Sequence, residues 1–364
     1  MNPIDSFSRD YGEARAKFLG ALTALGDLAR HEAVPHPLNG PNGEDLATDV
    51  GLVGAPDAER VLVLISSTHG TEGTCGSACQ YAWLNSDRPA ALPREVRVVL
   101  IHALNPHGFA HVRRVTEDNV DLNRNFLDHE GPYPENSGYA RLHGFLIPEN
   151  WSLEARAEAD KALQAYADEH GQFALQAAIS QGQYSHPDGL FFGGHAPTWS
   201  NRTLRAILEK HAGNAQAVGL IDFHTGLGPY GTADLICNAA VDSEDFRRLE
   251  RWYENGLSSP AAGTSTSAPL AGTMEHGVRQ ALPNARLSMI TAEFGTYPVQ
   301  RVFNALRGDH WLHARGTDDA ALRKAIKDEV RKALYPDEDD WKELVALRGR
   351  QLIDQATLGL ANDP

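Results

Sequence analysis

A histidine and a carboxylate three residues apart, His69 and Glu72, stand on the turn Ser66-Ser67-Thr68-His69-Gly70-Thr71-Glu72-Gly73. Both can reach one cation, because Gly70 and Gly73 let the backbone bend around them. The same pair can instead open a helix, with Glu72 favourable at the positive end of the dipole and His69 a satisfied polar residue. A catalytic zinc that keeps its fourth position open for water needs a third ligand. His224, in Asp222-Phe223-His224-Thr225-Gly226, offers one, and Asp222 lies on the same face of an extended chain, where it either orients a ligand or caps a loop. The chain has sixteen histidines, and His102, His107, His111, His186 and His195 furnish other triads, so spacing alone leaves the choice open. Arginines and amides gather in Asn105-Pro106-His107-Gly108-Phe109, Arg113-Arg114 and Asn119-Val120-Asp121-Leu122-Asn123-Arg124-Asn125-Phe126, among apolar residues and glycine. Guanidiniums brought together by one loop can fork a carboxylate and clamp a developing oxyanion. Glu293, in Ile290-Thr291-Ala292-Glu293-Phe294-Gly295, can take a proton from an activated water and pass it to a leaving amine, or sit at a rim or in a buried ion pair.

His69, His224 and Glu293 each close an apolar, β-branched run, over 60–68, 217–223 and 287–294. With 96–104 and 233–238, these near-continuous runs predict strands covered on both faces. Helical patterns follow at 73–86, 153–171, 201–213 and 243–257. The alternation predicts an α/β fold with a mixed, mainly parallel sheet flanked by helices, whose carboxyl-end strand tips collect ligands. Residues 128–194 interrupt it as a largely helical insertion able to roof a site, and 316–364 read as a charged helical tail packed on the surface or on a second copy of the chain. The segment 1–33 reads as an amphipathic helix, and the whole as one domain over 1–364 with its core at about 45–310.

A formal charge of −15 opposes nucleic acid and anionic membrane surfaces as partners. With 42% hydrophobic and 22% charged residues, the chain can bury a sizeable core. The start lacks the basic and apolar run of a secretory signal, no stretch reads as a membrane span, and three cysteines, Cys75, Cys79 and Cys237, do not make a disulfide scaffold, so a cytoplasmic protein is expected. Cys75 and Cys79 are expected to pack in the core rather than face a metal.

The order His-x-x-Glu, Asn-Pro-x-Gly-Phe, Arg, Asp-x-Asn-Arg-Asn, strand-terminal His and strand-terminal Glu, spanning about 60–300, resembles the zinc carboxypeptidases of the carboxypeptidase A type. The resemblance implies Zn2+ on His69, Glu72 and His224, Asn123 and Arg124 gripping a substrate carboxylate, Arg114 polarising the scissile carbonyl with Arg113 as the fallback, and Glu293 as the catalytic glutamate. It departs from the digestive enzymes in one respect: the stretch about twenty residues before Glu293 holds no tyrosine, leaving Tyr230 and Tyr297 as replacement candidates. The implied reaction is release of a C-terminal amino acid from a peptide or peptide-like substrate. The related succinylglutamate desuccinylase and aspartoacylase group, which shares the clamp, makes N-acyl amino acid deacylation the alternative, with a non-catalytic binding module third.

Overall fold

In a computed structural model, which describes residues 2–254 and 256–363, eight strands form one sheet. They are β1 (Ala29–Asn39), β2 (Asp45–Val53), β3 (Arg60–Ile65), β4 (Val96–His102), β5 (Ala217–Tyr230), β6 (Ala233–Ile236), β7 (Leu257–Ser258) and β8 (Arg286–Gly295), in the order β1-β2-β4-β3-β5-β8-β6-β7. The four central strands are parallel, β1 and β2 extend one side antiparallel, and β6 runs antiparallel to β8. The mixed, mainly parallel class is the one expected.

Strand alternation explains why the runs are apolar throughout. Leu62 and Leu64 face a core shared with the helices Gly73–Leu84 and Asp339–Asn362, while Val61, Val63 and Ile65 face one shared with Trp199–Ala212 and Met274–Ala281. From β3 the chain moves outward to β4, and from β5 outward the other way to β8. The carboxyl ends of β3, β5 and β8 therefore border the crevice where the strand order reverses.

Two expectations need correction. Residues 1–33 are not one helix: the helix Tyr11–Ala24 is followed by the edge strand β1, so the sheet begins well before residue 45. Pro35 and Pro37 survive in it because an edge strand has a side with no ladder to complete. The tail is no surface appendage either. Trp341, Val345, Leu352 and Ile353 are fully buried, and Trp341 Nε1 donates to the Gly295 carbonyl at the end of β8 at 2.9 Å. Charged residues between these positions hide an apolar stripe that packs into the core on one face of the sheet, with Leu62, Leu64 and Phe223.

The insertion contributes the helices Ser137–Leu146, Leu153–His170 and Gln172–Ser180, which share a core with the helices Val299–Ala314 and Ala320–Leu334. Trp151 stacks on Trp311 at 5.6 Å between centroids, and Arg307, itself buried, donates to the carbonyls of Phe145 and Leu146. Cys75 and Cys79 are free thiols in the main core. Among the described residues no helix is long and apolar enough to cross a membrane.

Candidate active site

The turn after β3 brings His69 and Glu72 to the sheet edge. Ser67 precedes them at φ 63°, a backbone conformation rare outside glycine, and Gly70 lies against the backbone of Gly108, leaving no room for a side chain. His224 comes from β5 and Glu293 from β8, in direct register across the ladder. His69 Nδ1 and His224 Nδ1 each lie 3.0 Å from the Glu72 carboxylate and 3.1 Å from one another. Their ligand atoms fall within 4.8 Å of each other and all three side chains are buried, a grouping able to hold a metal ion.

The outward nitrogens are also engaged. His224 Nε2 meets Asp222 at 2.5 Å, Asp222 accepts from Thr68 Oγ1 at 2.7 Å, and His69 Nε2 meets Asp121 at 3.1 Å. Each carboxylate fixes its imidazole so that Nδ1 faces the centre. Burial disfavours an ionised Glu72, yet His69 and His224 outweigh it and hold its pKa below the carboxylate range. Burial likewise opposes charge on Asp121, and Arg114, Arg124 and His69 overcome it. Glu293 goes the other way, pushed up to about 7 by burial and by the negative Glu72. Its Oε1 accepts from the Leu227 amide at 2.9 Å.

Arg114 binds Asp121 and lies 3.7 Å from Glu72. Arg124 donates to the Ser180 and Asn123 carbonyls and sits 3.8 Å from Asp121, while its buried Nε has no hydrogen-bond partner. Gly182, at φ +107°, lies against the Arg124 stem. Asn123 is anchored by accepting from the Met274 amide at 3.0 Å. Phe191, from the insertion, lies under both guanidiniums, 5.3 Å from that of Arg114 and 5.4 Å from that of Arg124.

His69, Glu72, Arg114, Asn123, Arg124, Phe191, Asp222, His224 and Glu293 line one cavity of about 1020 Å³. Two expected members do not. Arg113 turns into the protein, where Asp309 at 3.1 Å and Asn119 at 2.8 Å bind it, and so it cannot serve as a fallback for Arg114. Tyr230 is 38% exposed with its hydroxyl on Asp340, outside the cavity wall, and Tyr297 stands beside it rather than at the site. Of the competing histidines, His102 is buried against Ser77 and Phe18, away from the cluster. From the sequence no task fell to Asp121 or Phe191. Asp121 was legible within Asp-x-Asn-Arg-Asn, whereas nothing in the chain distinguished Phe191 from its aromatic neighbours.

Carboxypeptidase A from Helicoverpa armigera is a similar solved structure, with a TM-score of 0.51 and 14% identity over 98% of this chain and 74% of that one. Murein-tripeptide amidase MpaA from Escherichia coli O157 has a TM-score of 0.37 and 17% identity over 80% and 94% of the two chains. An aspartoacylase family protein from Mesorhizobium loti has 0.39 and 13% identity over 80% and 68%. The first establishes a carboxypeptidase A-like fold, and at that identity the fold alone. No curated protein matches the sequence significantly. A family model matches residues 7–348, and the chain belongs to that family, described as Protein of unknown function (DUF2817).

Proposed function

We propose that this protein is a zinc-dependent hydrolase that cleaves an amide bond next to a free carboxylate. One observation carries the reading: the Nδ1 atoms of His69 and His224 converge with the Glu72 carboxylate while Asp121 and Asp222 hold both Nε2 atoms. Two carboxylate-backed imidazoles and one carboxylate make a donor set suited to zinc in a catalytic centre, and the donors present fit that ion. When bound, zinc supplies Lewis acidity that lets a water lose its proton near neutral pH.

The chain's own residues do the rest. Glu293 Oε1 is occupied by the Leu227 amide, which orients the carboxylate so that its other oxygen can take a proton from the attacking water and deliver it to the departing nitrogen. Arg114, steadied by Asp121, reaches the carbonyl oxygen as negative charge grows on it. Arg124, with its unpartnered Nε, and Asn123 hold the free carboxylate of the leaving amine. The C–N bond breaks, the carbonyl carbon gains the water oxygen, and an acid and an amine leave.

The test measures zinc per chain and the hydrolysis of N-acyl amino acids and short peptides, each as free acid and as C-terminal amide, with and without a chelator. Stoichiometric zinc and chelator-sensitive cleavage confined to free acids are expected. Cleavage without zinc, or equal cleavage of the amides, overturns the proposal.

A further inference from the structure

The cavity is larger than a leaving amino acid requires, at the upper end of ordinary ligand sites. Beyond the metal cluster two helical elements contribute much of its apolar wall. The insertion supplies Leu163, Phe173, Leu175 and Ile179, and the helix Val299–Ala314 supplies Val299, Val302, Phe303 and Leu306. Phe173 at 75% exposure and Val299 at 64% are among the most exposed large apolar residues described, and both belong to this wall. Exposed apolar surface gathered around a cavity is a feature of ligand-binding grooves, and both residues sit on this one.

Charge sharpens the picture. Every charged residue on the wall belongs to the cluster and clamp described above except Asp160 and Glu275. Both are spoken for: Arg307 Nη1 holds Asp160 at 2.7 Å and Arg279 Nη2 holds Glu275 at 2.8 Å. The remaining polar groups of the outer chamber are neutral, chiefly Gln164, Gln172, Gln176 and Asn304. A peptide with a free amino terminus next to the scissile bond brings an ammonium into this space and finds no unpaired carboxylate to replace its water.

Resting on the amide-hydrolase reading, we infer that the insertion and the helix Val299–Ala314 form an acyl chamber, and that the substrate is an N-acyl amino acid whose acyl group is bulky, apolar and uncharged. In the hydrolysis water adds to the acyl carbon, the C–N bond breaks, and the products are a free fatty or aryl acid and an amino acid.

The experiment compares N-decanoyl-L-phenylalanine, N-acetyl-L-phenylalanine and L-leucyl-L-phenylalanine on the zinc-loaded protein. Phenylalanine is chosen because Leu220, Met274 and Met289 add further apolar surface to the cavity wall. The decanoyl compound is expected to exceed both others at least about ten-fold in kcat/KM, since even one methylene in an apolar pocket commonly discriminates about ten-fold. Parity with either one overturns the chamber. Binding is read separately by calorimetry on Glu293→Gln protein and on chelator-treated parent, so that a failed reaction is not mistaken for a failed chamber. Decanoyl binding at least about ten-fold tighter than acetyl upholds the chamber even if nothing is hydrolysed, and equal binding sinks it. Gln176→Glu, which sets a carboxylate in the chamber wall, is expected to lower the decanoyl to leucyl ratio. An unchanged ratio counts against the inference.

Discussion

His224 Nε2 lies 2.5 Å from Asp222 Oδ2, two residues back on the same strand, and this contact is what points the ring's Nδ1 at His69 and Glu72. The period-two geometry of β5 makes the contact local, and Thr68 from the neighbouring strand end fixes the far oxygen of Asp222. His69 has no such local partner and takes Asp121 from a distant loop instead.

Replacing His224 with Ala is expected to abolish stoichiometric zinc, because only two donors remain. Asp222→Asn keeps the shape but loses the charge behind the ring, and such partners are typically worth about 10–100-fold in metal affinity. Competition with a chromophoric chelator measures both. Parental affinity in Asp222→Asn would show that His224 needs no help from the carboxylate.

Arg124→Lys is expected to raise KM strongly for free-acid substrates. A lysine ammonium cannot make the planar two-point contact, and it also abandons the Ser180 carbonyl and the ring of Phe191. Phe191→Ala, removing a surface shared by both arginines, is expected to raise KM in the same direction while leaving zinc content unchanged. Steady-state kinetics with a free acid and its amide distinguish loss of the clamp from general disorder.

Glu293→Gln is expected to retain zinc and fold while losing about two to four powers of ten in turnover, the usual cost of removing a general base. Single-turnover rates per bound zinc are the measurement, and parental turnover removes Glu293 from the mechanism.

In the metal-free parent, the Glu293 carboxyl has its pKa raised from 4.5 to about 7. The folded state thus prefers the protonated form, and the associated stability is full below pH 4.5 and is lost as pH rises through 7. A tenfold difference in proton affinity between the folded and unfolded states corresponds to about 1.4 kcal/mol. Gln mimics the protonated form, so metal-free Glu293→Gln is expected to become more stable than metal-free parent as pH climbs over that window. Denaturant unfolding at pH 4.5 and 8 tests the sign, and a constant difference refutes the raised pKa.

Arg113 and Arg114 are neighbours in the chain with opposite destinations. Arg113→Leu strands Asp309, which Lys327 alone then neutralises at 2.6 Å, and breaking a buried pair on one side commonly costs about 3–5 kcal/mol. A lower Tm with unchanged turnover per folded, zinc-loaded chain is expected. Arg114→Leu should show the reverse emphasis, with turnover falling the more.

What could be read from the chain was whatever depends on local order. The apolar runs at 60–68, 96–104, 217–223 and 287–294 read as strands buried on both faces, and a His, a His and a Glu closing three of them are therefore expected at the carboxyl edge of a mainly parallel sheet. Turns and periodicity are short-range properties, so they survive in the sequence. Which residues meet is not short-range. Only the folded chain carries Asp121 to His69 across 52 residues, turns Arg113 into Asp309 across 196, and seats Phe191 under two guanidiniums. The tail misled for the same reason: the burial of Trp341 and Ile353 depends on an empty sheet face waiting for them, and that face is built by strands some 50 to 290 residues earlier. Composition sees the charges on the outside of such a helix, and packing decides what the inside is for.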